Sequence, residues 1–261
     1  MTQPTQDPGR EQSTPTVNAR PMGKAALREA LILWALAFAV IIVVRAIGPI
    51  AGYAKLCAAI AFLYLPGAVL WHRGEDYGDY GVRWFSRANW PAIRRDCLWG
   101  LGASAIALPL FALGFWGFTL LLEHLPASIA PIITPYVPAI EPAFRLPDRF
   151  VEHVLDQFIV VALPEELFYR GYLQTRLRDM WPRGRRFWGA RLGPAFWLTA
   201  VLFALGHLAI FEVWRLSVFF PALVFGWLRE KTGSILPAVI FHALSNLSLF
   251  VLEASFFGAR I

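Results

Sequence analysis

Charge is scarce in this chain. Only 16% of its 261 residues are Asp, Glu, Lys or Arg, against about 25% in an ordinary soluble domain. With 57% hydrophobic residues and a mean hydropathy of +0.51, that shortage excludes a conventional solvated surface. Cysteine is nearly absent. Cys57 and Cys97 lie in or beside apolar segments and form no CxxC, which suits packing rather than zinc binding or redox chemistry. Lysine is rare among the 24 basic residues, with only Lys24, Lys55 and Lys231. No HExxH zinc motif occurs. Residues 1–24 have no early apolar core, so they do not read as a signal peptide. Their mix of Pro, Gln, Thr and Ser reads as a disordered cytoplasmic tail.

Long apolar runs are what the chain has in plenty. A helix needs about 20 mostly apolar residues to cross the hydrocarbon core. Segments 27–45, 49–71, 97–122, 150–174, 193–211, 214–229 and 234–257 approach that length. The expected fold is all-α, a polytopic transmembrane helical bundle of seven spans, or eight. Residues 47–71 could break at Gly52 or Pro66. Three regions follow: the tail 1–24, N-terminal membrane helices over 25–149, and a catalytic membrane core over 150–261. The connection 72–96 mixes charge with Tyr77, Tyr80, Trp84, Phe85 and Trp90, a composition that suits an interfacial segment. Residues 123–149 hold six prolines and should be poor in helix.

The net charge of +6 does not indicate nucleic acid as a partner. The basic residues fall between apolar segments, where the positive-inside rule puts them. Seven spans with a cytoplasmic N-terminus place every basic cluster on one side. The expected location is a bacterial inner membrane, with the lipid bilayer as the surrounding partner.

Chemistry concentrates in three apolar segments. The first carries adjacent Glu165 and Glu166, followed by Arg170. A charge near the bilayer centre costs roughly 2.5–3.5 kcal/mol even on lenient scales, so such residues point to function. Glu166 and Arg170 are four apart and share a helix face. Glu165 points about 100° away, which leaves it as the better general base. Phe203 precedes His207 by four, and His242 precedes Asn246 by four. A glutamate and a histidine could deprotonate a water. His242 and Asn246 could donate hydrogen bonds to an oxyanion. Alternatively, Glu165, His207 and His242 could hold a divalent metal such as zinc. A cofactor-free site is equally compatible with the sequence.

These residues, Glu165-Glu166-x-x-x-Arg170, Phe203-x-x-x-His207 and His242-x-x-x-Asn246, resemble the three motifs of the CAAX protease and bacteriocin-processing (CPBP or Abi) family, related to the type II CAAX prenyl proteases. The resemblance covers about 150–250. It implies an intramembrane endopeptidase with its catalytic cavity between the C-terminal helices, acting on a membrane-associated protein or peptide. It makes Glu165 and His207 the water-activating pair and His242 and Asn246 the oxyanion or positioning groups. Glu166 and Arg170 become supporting residues. Two other classes compete: a non-catalytic membrane immunity or binding protein using the same polar cavity, and a proton-coupled transporter. The second is opposed by the lack of pseudo-symmetric halves.

Overall fold

The computed structural model describes residues 22–126, 128–129, 133, 142–210 and 213–257. Almost all of the expected tail 1–24 and the stretch holding Pro131, Pro135 and Pro138 lie outside these residues. The chain is a helical membrane bundle. Among the described residues, four helical stretches are long and apolar enough to cross a membrane: Lys24–Ala46, Gly48–Arg73, Trp90–Leu122 and Leu236–Phe257.

Helix α1 is Lys24–Ala46 and α2 is Ala54–Arg73, joined by a 3₁₀ turn at Gly48–Tyr53. Gly52 falls in that turn, whereas α2 runs unbroken through Pro66. Membrane helices tolerate an interior proline when neighbouring helices cover the freed carbonyl. Helix α3, Trp90–Leu122, begins seven residues before the expected span at 97. The interfacial connection is correspondingly shorter than 72–96. Two of its aromatic residues also turn inward. The Tyr77 hydroxyl donates to the Leu63 carbonyl at 2.7 Å, and buried Tyr80 stacks on Tyr172 at 5.6 Å. Trp84 and Phe85 stay exposed, as an interfacial role requires.

Helix α4 covers 150–180 without a break but with changing pitch. Phe150–Asp156, Leu163–Glu166 and Gln174–Met180 are α-helical. Gln157–Ala162 and Leu167–Leu173 are π-helical. A two-stranded hairpin follows, β1 Arg185–Phe187 and β2 Ala190–Leu192. It was not foreseen within an all-α reading. Its two-residue turn, Trp188 and Gly189, has positive φ at both positions (45° and 82°), the backbone that matches strand twist in tight hairpins.

Helices α5, Pro194–His207, and α6, Phe219–Thr232, have 14 residues each. At about 1.5 Å per residue each falls short of the roughly 30 Å core. The 3₁₀ turns Leu208–Ile210 and Val213–Val218 occupy the ends of the expected apolar segments. Helix α7, Leu236–Phe257, packs tightly on α3. A Cβ on Gly100 would come within 2.9 Å of Ile240 and of the Pro237 carbonyl.

The core is aromatic. Phe62, Phe168, Tyr169, Phe203, Phe225 and Phe241 are all buried in one cluster. A polar clamp at one end of the bundle ties α1, α2 and α4 together. Glu29 accepts from Arg73, from the Tyr172 hydroxyl and from Arg176, the last at 3.0 Å.

Candidate active site

Glu166 sits at the centre of the bundle, fully buried. Its Oε1 accepts from Arg170 Nη1 at 2.9 Å and from His242 Nδ1 at 2.8 Å. Arg170 is fully buried as well. Its guanidinium lies 4.3 Å from the centre of the Phe203 ring and 4.7 Å from that of Phe225, and Nη2 donates to the Ala222 carbonyl at 3.2 Å. Such a buried ion pair persists only if the remaining polar groups are satisfied. The aromatic faces and the carbonyl supply part of that here, while Glu166 Oε2 and Arg170 Nε are buried without a hydrogen-bond partner among the described residues.

Glu165 has different surroundings. Its side chain keeps 19% exposure and lines a cavity of about 330 Å³. Its Oε2 is buried, 3.9 Å from His242 Nε2, and has no hydrogen-bond partner among the described residues. His207, the last residue of α5, lines the same cavity. Its Nδ1 contacts the Phe203 carbonyl at 2.9 Å. A carbonyl only accepts, so Nδ1 carries the proton and Nε2 offers a lone pair. Phe203 thus holds His207 through its backbone while its ring covers Arg170. The ring of His242 stacks on Phe225 at 4.6 Å.

Asn246 is placed by a residue the sequence did not single out. Its Nδ2 donates to Gln157 Oε1 at 2.8 Å, and both side chains line the cavity. Gln157, Val161, Glu165 and Tyr169 are spaced by four along one wall. In a pure α-helix that spacing drifts about 40° per step. The wider π turns take up the drift and keep the stripe on one face. π-helical turns are frequent at functional sites. Gly206 also matters locally. A Cβ there would come within 2.5 Å of the Tyr169 hydroxyl, so α5 can approach α4 beside His207 only without a side chain.

Glu152 and Asp156 are peripheral. They pair with Arg149 and, at 2.8 Å, with Lys55. Among the described residues, no group of three or more His, Cys, Asp and Glu converges in a metal-holding arrangement. Glu165, His207 and His242 are therefore not gathered as a ligand set. Each imidazole is oriented through Nδ1, His207 by the Phe203 carbonyl and His242 by Glu166.

Residues 148–248 match the family model for Rce1-like type II CAAX prenyl endopeptidases. That match supports the CAAX protease family for this part of the chain. The matched stretch contains α4, the hairpin, α5, α6 and the first half of α7, and with them every residue of the site. Together with the long apolar helices it supports an integral-membrane protein, and the matched family implies a protease. No curated protein matches the chain, and neither does any solved structure.

Proposed function

We propose that the protein is an intramembrane endopeptidase in which Glu165 and His207 activate the hydrolytic water. One observation carries this reading. Of the two adjacent glutamates, Glu166 is fully buried and held by Arg170 and His242, whereas Glu165 lines the cavity and keeps 19% of its side chain exposed. A general base must reach its water and have capacity to take the proton.

Water held between the Glu165 carboxylate and the free Nε2 of His207 gives its proton to the carboxylate. Its oxygen bonds to the scissile carbonyl carbon. The second N–H of Asn246, left over from the bond to Gln157, donates to the resulting oxyanion. Collapse of the tetrahedral intermediate breaks the C–N bond, and the proton on Glu165 passes to the leaving nitrogen. His242, held through Nδ1 by Glu166 and with its Nε2 3.9 Å from Glu165 Oε2, keeps the two glutamates in fixed relation. Glu166 and Arg170 act as positioning residues, since neither lines the cavity.

Cleavage of membrane-associated peptides by the detergent-solubilised full chain tests the assignment. Glu165→Gln and His207→Ala should abolish turnover while the protein remains folded. Full activity in either variant at equal protein level would overturn it.

A further inference from the structure

The hairpin after α4 has two unlike faces. Arg186 and Arg191 stand directly opposite each other across the ladder, flanked by the pairs Arg185 with Leu192 and Phe187 with Ala190. Opposite residues share a face, and neighbours along a strand alternate. Arg186 and Arg191 are therefore on one face, and Phe187 and Leu192 on the other. Like charges directly opposite destabilise a strand pair, so this pair gains from an anion placed between its members.

The basic face closes a pocket of about 360 Å³ with Arg178, in the last turn of α4, and Glu230, near the end of α6. Glu230 is already engaged. Its Oε1 accepts from Gln174 Nε2 at 2.9 Å and lies 3.6 Å from Arg178 Nη1. Arg191 Nη1 donates to the Pro182 carbonyl at 3.0 Å, and Arg186 has no side-chain hydrogen bond or ion pair among the described residues. Three arginines against one glutamate leave two positive charges in the pocket without a carboxylate. Guanidinium groups converging from α4, β1 and β2 match the oxygens of a phosphate.

The apolar face lines a groove of about 300 Å³ together with Trp197 of α5 and Leu223 and Trp227 of α6. Phe187, Trp188 and Trp197 are exposed. The turn joins the two sites, with Trp188 lining the groove and Gly189 the pocket. Helix α6 holds the turn in place: Lys231 Nζ donates to the Trp188 carbonyl at 2.7 Å and Trp227 Nε1 to the Phe187 carbonyl at 3.4 Å. A cationic pocket beside an aromatic groove matches a molecule with a phosphate at the head of a hydrocarbon chain.

The depth in the bundle agrees. Arg83 Nη2 donates to the Thr232 carbonyl at 3.0 Å, and the Gly23 N–H to the Asp179 carbonyl at 3.4 Å. These contacts gather the start of α1, the connection before α3 and the ends of α4 and α6 at one end of the bundle. Its many basic residues assign that end to the cytoplasmic face, where exposed tryptophans also concentrate. Basic pockets beside membrane helices on that side receive anionic head groups.

We propose that the hairpin builds a binding site for an anionic phospholipid. Arg178, Arg186 and Arg191 hold its phosphate, and the groove between Phe187, Trp197 and Trp227 holds an acyl chain. The site shares no residue with the Glu165 cavity and does not depend on the proteolytic reading.

Lipid binding to the delipidated full-length protein in detergent tests the proposal. It is titrated with phosphatidylglycerol, with phosphatidylcholine of the same chains and with soluble glycerol phosphate, and followed by native mass spectrometry and melting temperature. Phosphatidylglycerol should bind roughly tenfold or more tighter than phosphatidylcholine, the worth of one charge-assisted hydrogen bond, and should raise the melting temperature. Arg186→Gln with Arg191→Gln should abolish that selectivity. Arg186→Glu should abolish it too while raising the melting temperature of the lipid-free protein, because the new carboxylate faces Arg191 across the ladder; lost binding is then not lost folding. Arg87→Gln with Arg94→Gln removes the same charge from exposed positions outside the pocket and should leave the selectivity intact. Trp188→Ala should weaken both lipids and keep their ratio. Equal affinity for the two lipids, a selectivity that survives either hairpin variant, or its equal loss with Arg87 and Arg94 replaced would overturn the proposal. Glycerol phosphate binding as tightly as the lipid would also overturn it, in favour of a soluble phosphate ester.

Discussion

Glu165→Gln and Glu166→Gln differ by one position and remove the same charge, yet they should have opposite consequences. Glu166 accepts two charge-assisted bonds, at 2.9 Å from Arg170 and 2.8 Å from His242, with all three side chains buried. Neutralising it leaves the Arg170 guanidinium in the core without a counter-charge. Breaking a buried pair from one side costs about 3–5 kcal/mol. Glu165 Oε2 has no hydrogen-bond partner to lose, so Glu165→Gln should change stability by less than about 1 kcal/mol. Removing both members of the pair, Glu166→Gln with Arg170→Met, should recover a large part of the loss, because no charge is then stranded. A double-mutant cycle measured by reversible SDS titration of the full chain in mixed micelles gives these terms. Activity completes the contrast: Glu165→Gln should be stable and inactive, Glu166→Gln unstable. Equal destabilisation by the two substitutions, or a purely additive cycle, would refute the division of roles.

Three further outcomes follow from the geometry. Gln157→Leu removes the acceptor that orients Asn246, and about tenfold to 100-fold should be lost from kcat with little change in melting temperature; Asn246→Ala should cost more, about 100- to 1000-fold, as loss of an oxyanion donor does elsewhere. Gly206→Ala drives a methyl group into the Tyr169 hydroxyl and should cost about 1–3 kcal/mol, with Tyr169→Phe relieving part of that loss in a thermal melt. Glu29→Gln takes the counter-charge from Arg73 and one of the carboxylates from buried Arg176, which keeps Asp179, and should destabilise by about 1–3 kcal/mol, read as a lower SDS midpoint, while the KM of the remaining folded enzyme stays unchanged.

The glutamate pair, the two deep histidines and Asn246 were legible as candidates because ionisable groups in apolar runs are conspicuous. Their partners were less so. A spacing of four predicts Glu166 beside Arg170, but not His242 on the same oxygen, since that contact joins α4 to α7. Gln157 was missed because a neutral amide eight residues before Glu165 falls on the same face only when the helix changes pitch. Hydropathy marked the apolar segments near α5 and α6 but overstated the helices. It does not see that Leu208–Ile210 and Val213–Val218 wind as 3₁₀ turns. The hairpin was hidden in a run of arginines. Trp188-Gly189 was its one local signal, and tryptophan is an unusual residue at φ +45°.

The uneven winding of α4 makes the composition of the cavity wall depend on residue count as well as residue identity. Wound at ordinary α-helical pitch with the same residue count, Gln157 would stand about 80° away from Glu165 around the helix. Gln157 would turn away and Asn246 would lose its acceptor, while Glu165, Glu166 and Arg170 kept their places. Deleting a single residue between 158 and 161 removes that surplus: about seven residues of α-helix fall only about 20° short of two turns, so Gln157 would stay on the Glu165 face. The stretch is therefore more tolerant of a one-residue gap than a regular helix of the same length would be.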